Sequence, residues 1–255
     1  MTSRLNIRAL LLQIREDEQV KQEELESFAK YSGLSVNQFV TLNVFEKPVF
    51  DKSVLESIDI LFVGGASEAS VSEPDKYTFV DSIKSLLLDA IELEVPTFAS
   101  CFGFQTAVLA LGGKITKDTE NFEMGTYEIT LTEQAKFDPI YKSIKNQFIA
   151  VSVHQEKAIS LPESCELLAY TDSCCHSFKV KNKPFWAFQF HPELDKPCLV
   201  QRLGIYRDKY TENKDHFQGV IDRIQDTPES NLLVKYFVDN YLQMISDESI
   251  SNTPN

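Results

Sequence analysis

The sequence predicts a single doubly wound α/β domain, with a mostly parallel sheet and antiparallel strands added at one edge. Two observations carry that expectation. Through the first hundred residues, short apolar runs alternate with longer stretches of helical periodicity, the pattern of strands crossing over through helices into a parallel sheet. Beyond Gly112-Gly113 the texture changes to short β-prone segments separated by turn residues, as expected of antiparallel additions at a sheet edge.

The elements follow in order. Residues Leu5 to Ile14 are largely apolar and fit a strand buried on both faces. Leu25, Phe28, Ala29 and Ser32 fall at helical spacing behind the acidic start Glu16-Asp17-Glu18, with Gly33 placed to end the helix. Gln38 to Phe45 and Asp59 to Val63 read as strands, and Phe79, Val80, Ile83, Leu86, Leu87, Ala90 and Ile91 make the apolar stripe of a second helix. Pro96 to Ser100 is a fourth strand. The segments Gly125–Leu131, Phe148–Val153, Glu166–Tyr170 and Phe185–Phe190 are the expected antiparallel additions. A helical end follows, with Leu232, Leu233, Tyr236, Phe237 and Tyr241 as its buried stripe. No linker, repeat or low-complexity tract divides the chain. One domain is expected over residues 1–246, with 247–255 a polar, frayed tail.

The 255 residues carry 38 Asp plus Glu against 25 Lys plus Arg, a formal charge of −13, and contain no run of basic residues. A polyanion would be repelled, so a nucleic-acid partner is not expected. Nowhere do roughly 18 apolar residues run together, which argues against a membrane helix. The apolar stretch near the amino terminus is too short for an export signal, and five cysteines, an odd number, read as free thiols in a reducing cytoplasm.

The most informative segment is Val95-Pro96-Thr97-Phe98-Ala99-Ser100-Cys101-Phe102-Gly103-Phe104-Gln105, which reads strand, sharp turn, helix. A nucleophile on such an elbow is lifted above the sheet, and the small residues Ala99 and Gly103 on either side let the turn close. The helix amino terminus also favours a thiolate at Cys101. A second segment, Phe185 to Glu193, ends a β-prone run in His191-Pro192-Glu193, where the i and i+2 residues of extended backbone project together. Glu193 is then placed to orient the His191 imidazole, giving a nucleophile, a base and an orienting carboxylate. Third, Phe62-Val63 runs into Gly64-Gly65. The N–H of Gly65, with that of Phe102, is a candidate oxyanion hole.

These three segments, in this order, resemble the class I glutamine amidotransferases, close to the stand-alone group related to the glutaminase domain of GMP synthase. The resemblance spans about Leu5 to Leu242. It rests on Cys101 in the elbow, Gln105 four residues on, Ala110-Leu111-Gly112-Gly113 and Gln189-Phe190-His191-Pro192-Glu193. Val153-His154-Gln155-Glu156 with Leu161-Pro162, and Glu123-Met124-Gly125, resemble segments bordering the family's glutamine pocket. The resemblance implies a flavodoxin-like fold, catalysis by Cys101, His191 and Glu193, and substrate binding near Gly64, Phe104, Gln105, Val153 and His154. It implies no cofactor. Two positions depart from the family pattern, with Ala99 where Gly is usual and Phe104 where His is usual; Phe104 is expected to shape which γ-glutamyl compound fits.

The implied reaction is hydrolysis of the glutamine side-chain amide to glutamate and ammonia. The sequence carries no nucleotide-binding Gly-rich loop, so the ammonia acceptor is expected on a separate synthetase or acceptor protein. The alternatives are a self-contained γ-glutamyl hydrolase or peptidase, and a non-catalytic interaction module. A metal at Cys174-Cys175-His176, with Cys165 and Cys198 in the vicinity, is not expected, because adjacent residues on extended backbone point to opposite faces and no Cys-x-x-Cys pair exists. His154 reads as pocket rim, His216 as surface, and the acidic residues from Glu16 to Glu26 as a solvated helix face.

Overall fold

The computed structural model describes residues 3–120, 122–206 and 214–251, with 214–216 and 248–251 described by their backbone alone. In chain order the first half runs β1 (Ala9–Ile14), α1 (Glu18–Ser32), β2 (Phe39–Asn43), β3 (Ile60–Ala66), α2 (Phe79–Glu92), β4 (Thr97–Ser100), α3 (Phe102–Ala110) and β5 (Lys114–Lys117). The second half runs β6 (Glu123–Leu131), β7 (Gln147–His154), β8 (Glu156–Ser160), β9 (Cys165–Tyr170), β10 (Cys175–Val180), β11 (Phe185–Phe188), α4 (Lys196–Ile205), α5 (Lys214–Ile221) and α6 (Pro228–Ser251). The last helix passes the boundary expected at residue 246 and continues through Ser251. Residues 252–255 of the expected tail, and the side chain of His216, lie outside the described residues.

Among the described residues the main sheet has nine strands in the order β2-β1-β3-β4-β11-β10-β9-β6-β7, and β5 pairs with β8 separately. From β2 to β11 every pairing is parallel. From β11 to β7 every pairing is antiparallel. The residues 185–188, expected as an antiparallel addition, therefore do two jobs: β11 pairs antiparallel with β10 and parallel with β4, its Phe188 opposite Ser100. Sequence order hides this, because the whole antiparallel excursion lies between β4 and β11 in the chain.

The unbroken apolar runs of the central strands are explained by burial on both faces. Leu10, Leu12 and Ile14 of β1 face a core shared with α2 and α3, while Ala9 and Leu11 face the one built by α1 and α6. In β11, Phe185 and Ala187 take the first side, Trp186 and Phe188 the second. Phe98 stacks on Phe188 with centroids 4.2 Å apart and meets Phe237 of α6 edge-on. Full burial of each such ring is worth about 2–3 kcal/mol.

The first helix begins where Asp17 accepts hydrogen bonds from the N–H groups of Gln19 and Val20, and stops at Gly33 with φ 70°. Its acidic face is not wholly solvated. Glu24 is fully buried and paired at 2.9 Å with Arg15, the residue that follows β1. Among the described residues no helix is long and apolar enough to cross a membrane.

Candidate active site

The carboxyl ends of β3, β4 and β11 lie side by side, so the residues that succeed each strand are gathered at one end of the sheet, where open α/β sheets bind ligands. After β4 comes Cys101, with φ 48° and ψ −95°, a backbone conformation that costs a non-glycine residue about 1–3 kcal/mol. The surroundings hold it there: its N–H donates to the Phe188 carbonyl at 2.7 Å, and its own carbonyl accepts from Gln105 N–H at 3.0 Å. The elbow expected from the sequence is present, with Phe102 opening α3.

After β11, an isolated bridge joins His191 to Val151 of β7 and fixes the histidine backbone. Its Nδ1 lies 2.7 Å from Glu193 Oε1, and both residues are buried. Burial alone would lower the His191 pKa, but its interactions with Glu193 and Cys101, through charge and hydrogen bonds, outweigh it and raise the group to about 9. Glu193 is driven up by burial and, more strongly, down by His191 and Arg202.

Gly65 closes the third side. A Cβ placed there would lie 2.6 Å from His191 Cε1 and 3.4 Å from Cys101 Cβ, so only a hydrogen fits between the backbone and the pair. Gly64, expected at the substrate, faces the other way: a Cβ on it would lie 2.6 Å from the Glu24 carboxylate. Successive residues of a strand alternate faces, so Gly64 and Gly65 project apart; the lining of the cleft begins at Ala66, where β3 ends.

A cleft of about 230 Å³ opens above Cys101, walled by Ala66–Ser70, Phe102, Gln105 and Val153–Glu156. Val153 and His154 line this cleft, and the Cys101 thiol points at the Val153 carbonyl, 3.8 Å away. Gln105 lines the cleft and donates through Nε2 to the Glu156 carbonyl at 2.9 Å, tying the elbow helix to the opposite wall. Phe104 is a correction. It is fully buried against Phe178, ring centroids 5.2 Å apart, and does not reach the cleft. In α3 the residues one and four places beyond Cys101 face the cavity, while the third points down onto the sheet.

Several buried charged residues brace the site from behind. Glu156 is buried, accepting from Ser70 Oγ at 2.7 Å and from the Ser72 and Val71 N–H groups, and so anchors the loop after β3. Arg15, paired with Glu24, donates to Ser67 Oγ at 3.1 Å behind Gly65. Glu123 accepts hydrogen bonds from Ser152 and Ser173 and contacts His154 and His176 at 3.2 and 3.3 Å. Burial pushes its carboxyl up, yet the two histidines hold it well below the usual range. His154 is itself lowered, chiefly by burial. The one signal for Arg15 was a charged residue following an apolar strand; Glu123 and Glu156 stand in segments that resemble the family's pocket border, but nothing in the sequence marked the contacts they make.

A family model described as glutamine amidotransferase class-I matches residues 36–197. Among curated relatives, a glutamine-hydrolyzing GMP synthase subunit from Methanocaldococcus jannaschii is 29% identical over 116 residues, 45% of this chain and 60% of that protein. The glutamine-hydrolyzing GMP synthase of Marinomonas sp. (strain MWYL1) is 32% identical over 178 residues, 65% of this chain and 32% of that protein. The match thus spans under two thirds of each relative. A glutamine amidotransferase from Thermotoga maritima has the same fold, with TM-score 0.73 at 16% identity over 94% of this chain and 97% of that one. So does a glutamine amidotransferase from Methylobacillus flagellatus, with TM-score 0.70 at 14% identity over 94% and 95%.

Proposed function

The chain belongs to the class-I glutamine amidotransferase family, and we propose that it hydrolyses the side-chain amide of glutamine to glutamate and ammonia. The observation that supports this reading above all is the buried His191–Glu193 contact of 2.7 Å beside a cysteine on a strained elbow. In the proposed reaction the Cys101 thiolate attacks the amide carbon, and the oxyanion accepts hydrogen bonds from the Gly65 and Phe102 N–H groups. His191, already protonated, gives its Nε2 proton to the departing amine, so that ammonia leaves and a thioester remains. The now neutral ring takes a proton from water, whose oxygen attacks the thioester to release glutamate and regenerate the thiolate. Glu193 keeps the proton-bearing Nδ1 fixed throughout and stabilises each return of the imidazolium.

Ammonia is proposed to pass to a separate acceptor protein. The support is analogy: one relative is named as a subunit of a glutamine-hydrolyzing synthase, and this chain matches only about a third of the glutamine-hydrolyzing GMP synthase of Marinomonas.

The test is glutamate release by the purified chain, offered glutamine and, in parallel, a panel of γ-glutamyl peptides. Glutamine turnover, with ammonia appearing in equal amount and lost in Cys101→Ser, is the expected result. Turnover undiminished in Cys101→Ser overturns the mechanism, and cleavage of the peptides with none of glutamine overturns the choice of substrate.

A further inference from the structure

Beneath the cleft wall that His154 forms, four side chains converge that the amide chemistry does not call on. Glu123 opens β6, His154 ends β7, Cys174 sits in the turn before β10, and His176 is the second residue of β10. One carboxylate oxygen, the two imidazole nitrogens and the thiol sulfur all lie within 4.8 Å of one another. His154 Nε2 is 3.2 Å from Glu123 Oε2, His176 Nε2 is 3.3 Å from Glu123 Oε1, and Cys174 Sγ is 3.4 Å from His176 Nε2.

We propose that Glu123, His154, Cys174 and His176 form a binding site for a divalent transition-metal ion of the zinc type. A tetrahedral zinc ion with bonds of about 2.0–2.3 Å sets its donors about 3.3–3.8 Å apart. Three of the contacts already fall close to that span. Two imidazoles, one thiolate and one carboxylate are a borderline-soft set suited to zinc and poorly suited to magnesium or calcium, which take oxygen. The charges balance as well, since thiolate and carboxylate together carry two negative charges against the ion's two positive ones.

On binding, the Cys174 thiol loses its proton to solvent and each ring turns its Nε2 lone pair to the metal, moving its own proton to Nδ1. A ligating histidine then needs an acceptor at Nδ1. His176 Nδ1 is buried without a hydrogen bond, and so are both amide atoms of Gln189. The β10–β11 register carries His176 opposite Gln189, whose N–H donates to the His176 carbonyl at 2.8 Å. Residues so paired project from the same face, which places an unused amide oxygen on the side of the sheet from which the ring projects. The topology supplies a reason for a clamp at this place. Among the described residues, strand β9 ends at Tyr170 and pairs with β6 only at Thr130 and Leu131, so near Glu123 no described strand joins β6 to β10. An ion held by β6, β7 and the start of β10 ties that gap shut and fixes His154 in the cleft wall.

Cys174 and Cys175 do diverge, as adjacent residues at a strand end must, and only Cys174 joins the cluster. The other three donors come from strands distant in sequence or from beyond the cysteine pair, which is why cysteine spacing alone gave no sign of a metal.

The experiment uses the full chain, stripped with a chelator and titrated with Zn²⁺ in competition with a chromophoric chelator, then with Co²⁺. About one Zn²⁺ per chain is expected, with a thiolate-to-cobalt charge-transfer band in the Co²⁺ form. Cys174→Ser, whose fold is checked by circular dichroism, should lose the band and bind Zn²⁺ at least about tenfold more weakly. Cys101→Ser and Cys175→Ser should keep both. In the unmutated chain, Zn²⁺ should slow alkylation of Cys174 and leave Cys175 unchanged, by mass spectrometry, a readout that depends on no variant folding. Absence of Zn²⁺ binding, or binding lost in Cys101→Ser and kept in Cys174→Ser, overturns the site; the first result leaves a hydrogen-bonded lock around Glu123, the second an ion on the Cys101–His191 pair.

Discussion

Gly65 and His191 are in such close apposition that a methyl group on the glycine would stand 2.6 Å from the imidazole Cε1. The histidine is hemmed in on its other sides by Glu193 and by its bridge to Val151, so it has one position available. Gly65→Ala must therefore displace the ring or the backbone that faces it. Displacement of a reacting group by about 1 Å costs on the order of a hundredfold in rate. Steady-state glutamine hydrolysis by Gly65→Ala should fall by that order, with a melting temperature near that of the parent chain. An unchanged kcat/KM would show that His191 is not held as described.

Glu193→Gln keeps the side-chain shape and removes the charge that, with Cys101, raises His191 to about 9. The histidine pKa should drop, and kcat should fall by about 10²–10⁴ because the orienting and stabilising carboxylate is gone. Titration of His191 followed by NMR in both proteins measures the first effect directly.

The same pair ties stability to pH. His191 is raised above its ordinary 6.5, so its stabilising contribution is complete below that value and is lost as pH rises through about 9. Glu193 is lowered, so its contribution is present above the ordinary carboxylate range and is lost on acidification. Denaturant unfolding of the parent chain and of His191→Gln, compared from pH 6 to 10, should show the difference between them shrinking toward the alkaline end.

Phe104→His, which restores the residue usual in the family, should leave the preference between glutamine and larger γ-glutamyl amides unchanged, because the ring is buried on Phe178 and away from the cleft. It should instead destabilise the fold by about 2–5 kcal/mol, from lost packing and a buried polar ring. Thermal unfolding and paired kcat/KM measurements separate the two effects. A selectivity change without destabilisation would put Phe104 back at the substrate.

A chloroketone analogue of glutamine should label Cys101 ahead of the other four cysteines. Burial holds Cys165 up at about 11 and, with neighbouring acidic groups, Cys174 and Cys198 at about 12; Cys175 is also raised. These thiols are protonated near neutrality and react slowly. Peptide mapping after partial labelling identifies the site.

Much of the fold was legible because the parallel half obeys local rules: two-sided apolar strands, an Asp cap on α1, a glycine stop, and short connections. The candidate site was legible where backbone geometry dictates residue type, as in the elbow around Cys101 and the i, i+2 pair His191 and Glu193. Contacts that depend on strand pairing were not. Glu24 looked like one more acid on a wet helix until β1 brought Arg15 beneath it, and Glu123 became a hub only when β6, β7 and β10 were placed together. Phe104 was misplaced because closeness to Cys101 in sequence was read as closeness to the cleft, whereas the helix turns it away.

With β11 inserted between β4 and β10, the two halves of the sheet are joined by a strand made late in the chain. Until residues 185–188 dock, β4 is an open edge lined by buried apolar residues such as Phe98 and Ala99, a template for pairing with another chain. The whole antiparallel half must be synthesised before that edge can close, and such distant pairings form slowly. His191 follows directly from the strand that closes it. The Cys101–His191 pair on which the proposed reaction depends is therefore brought together only when that edge is covered.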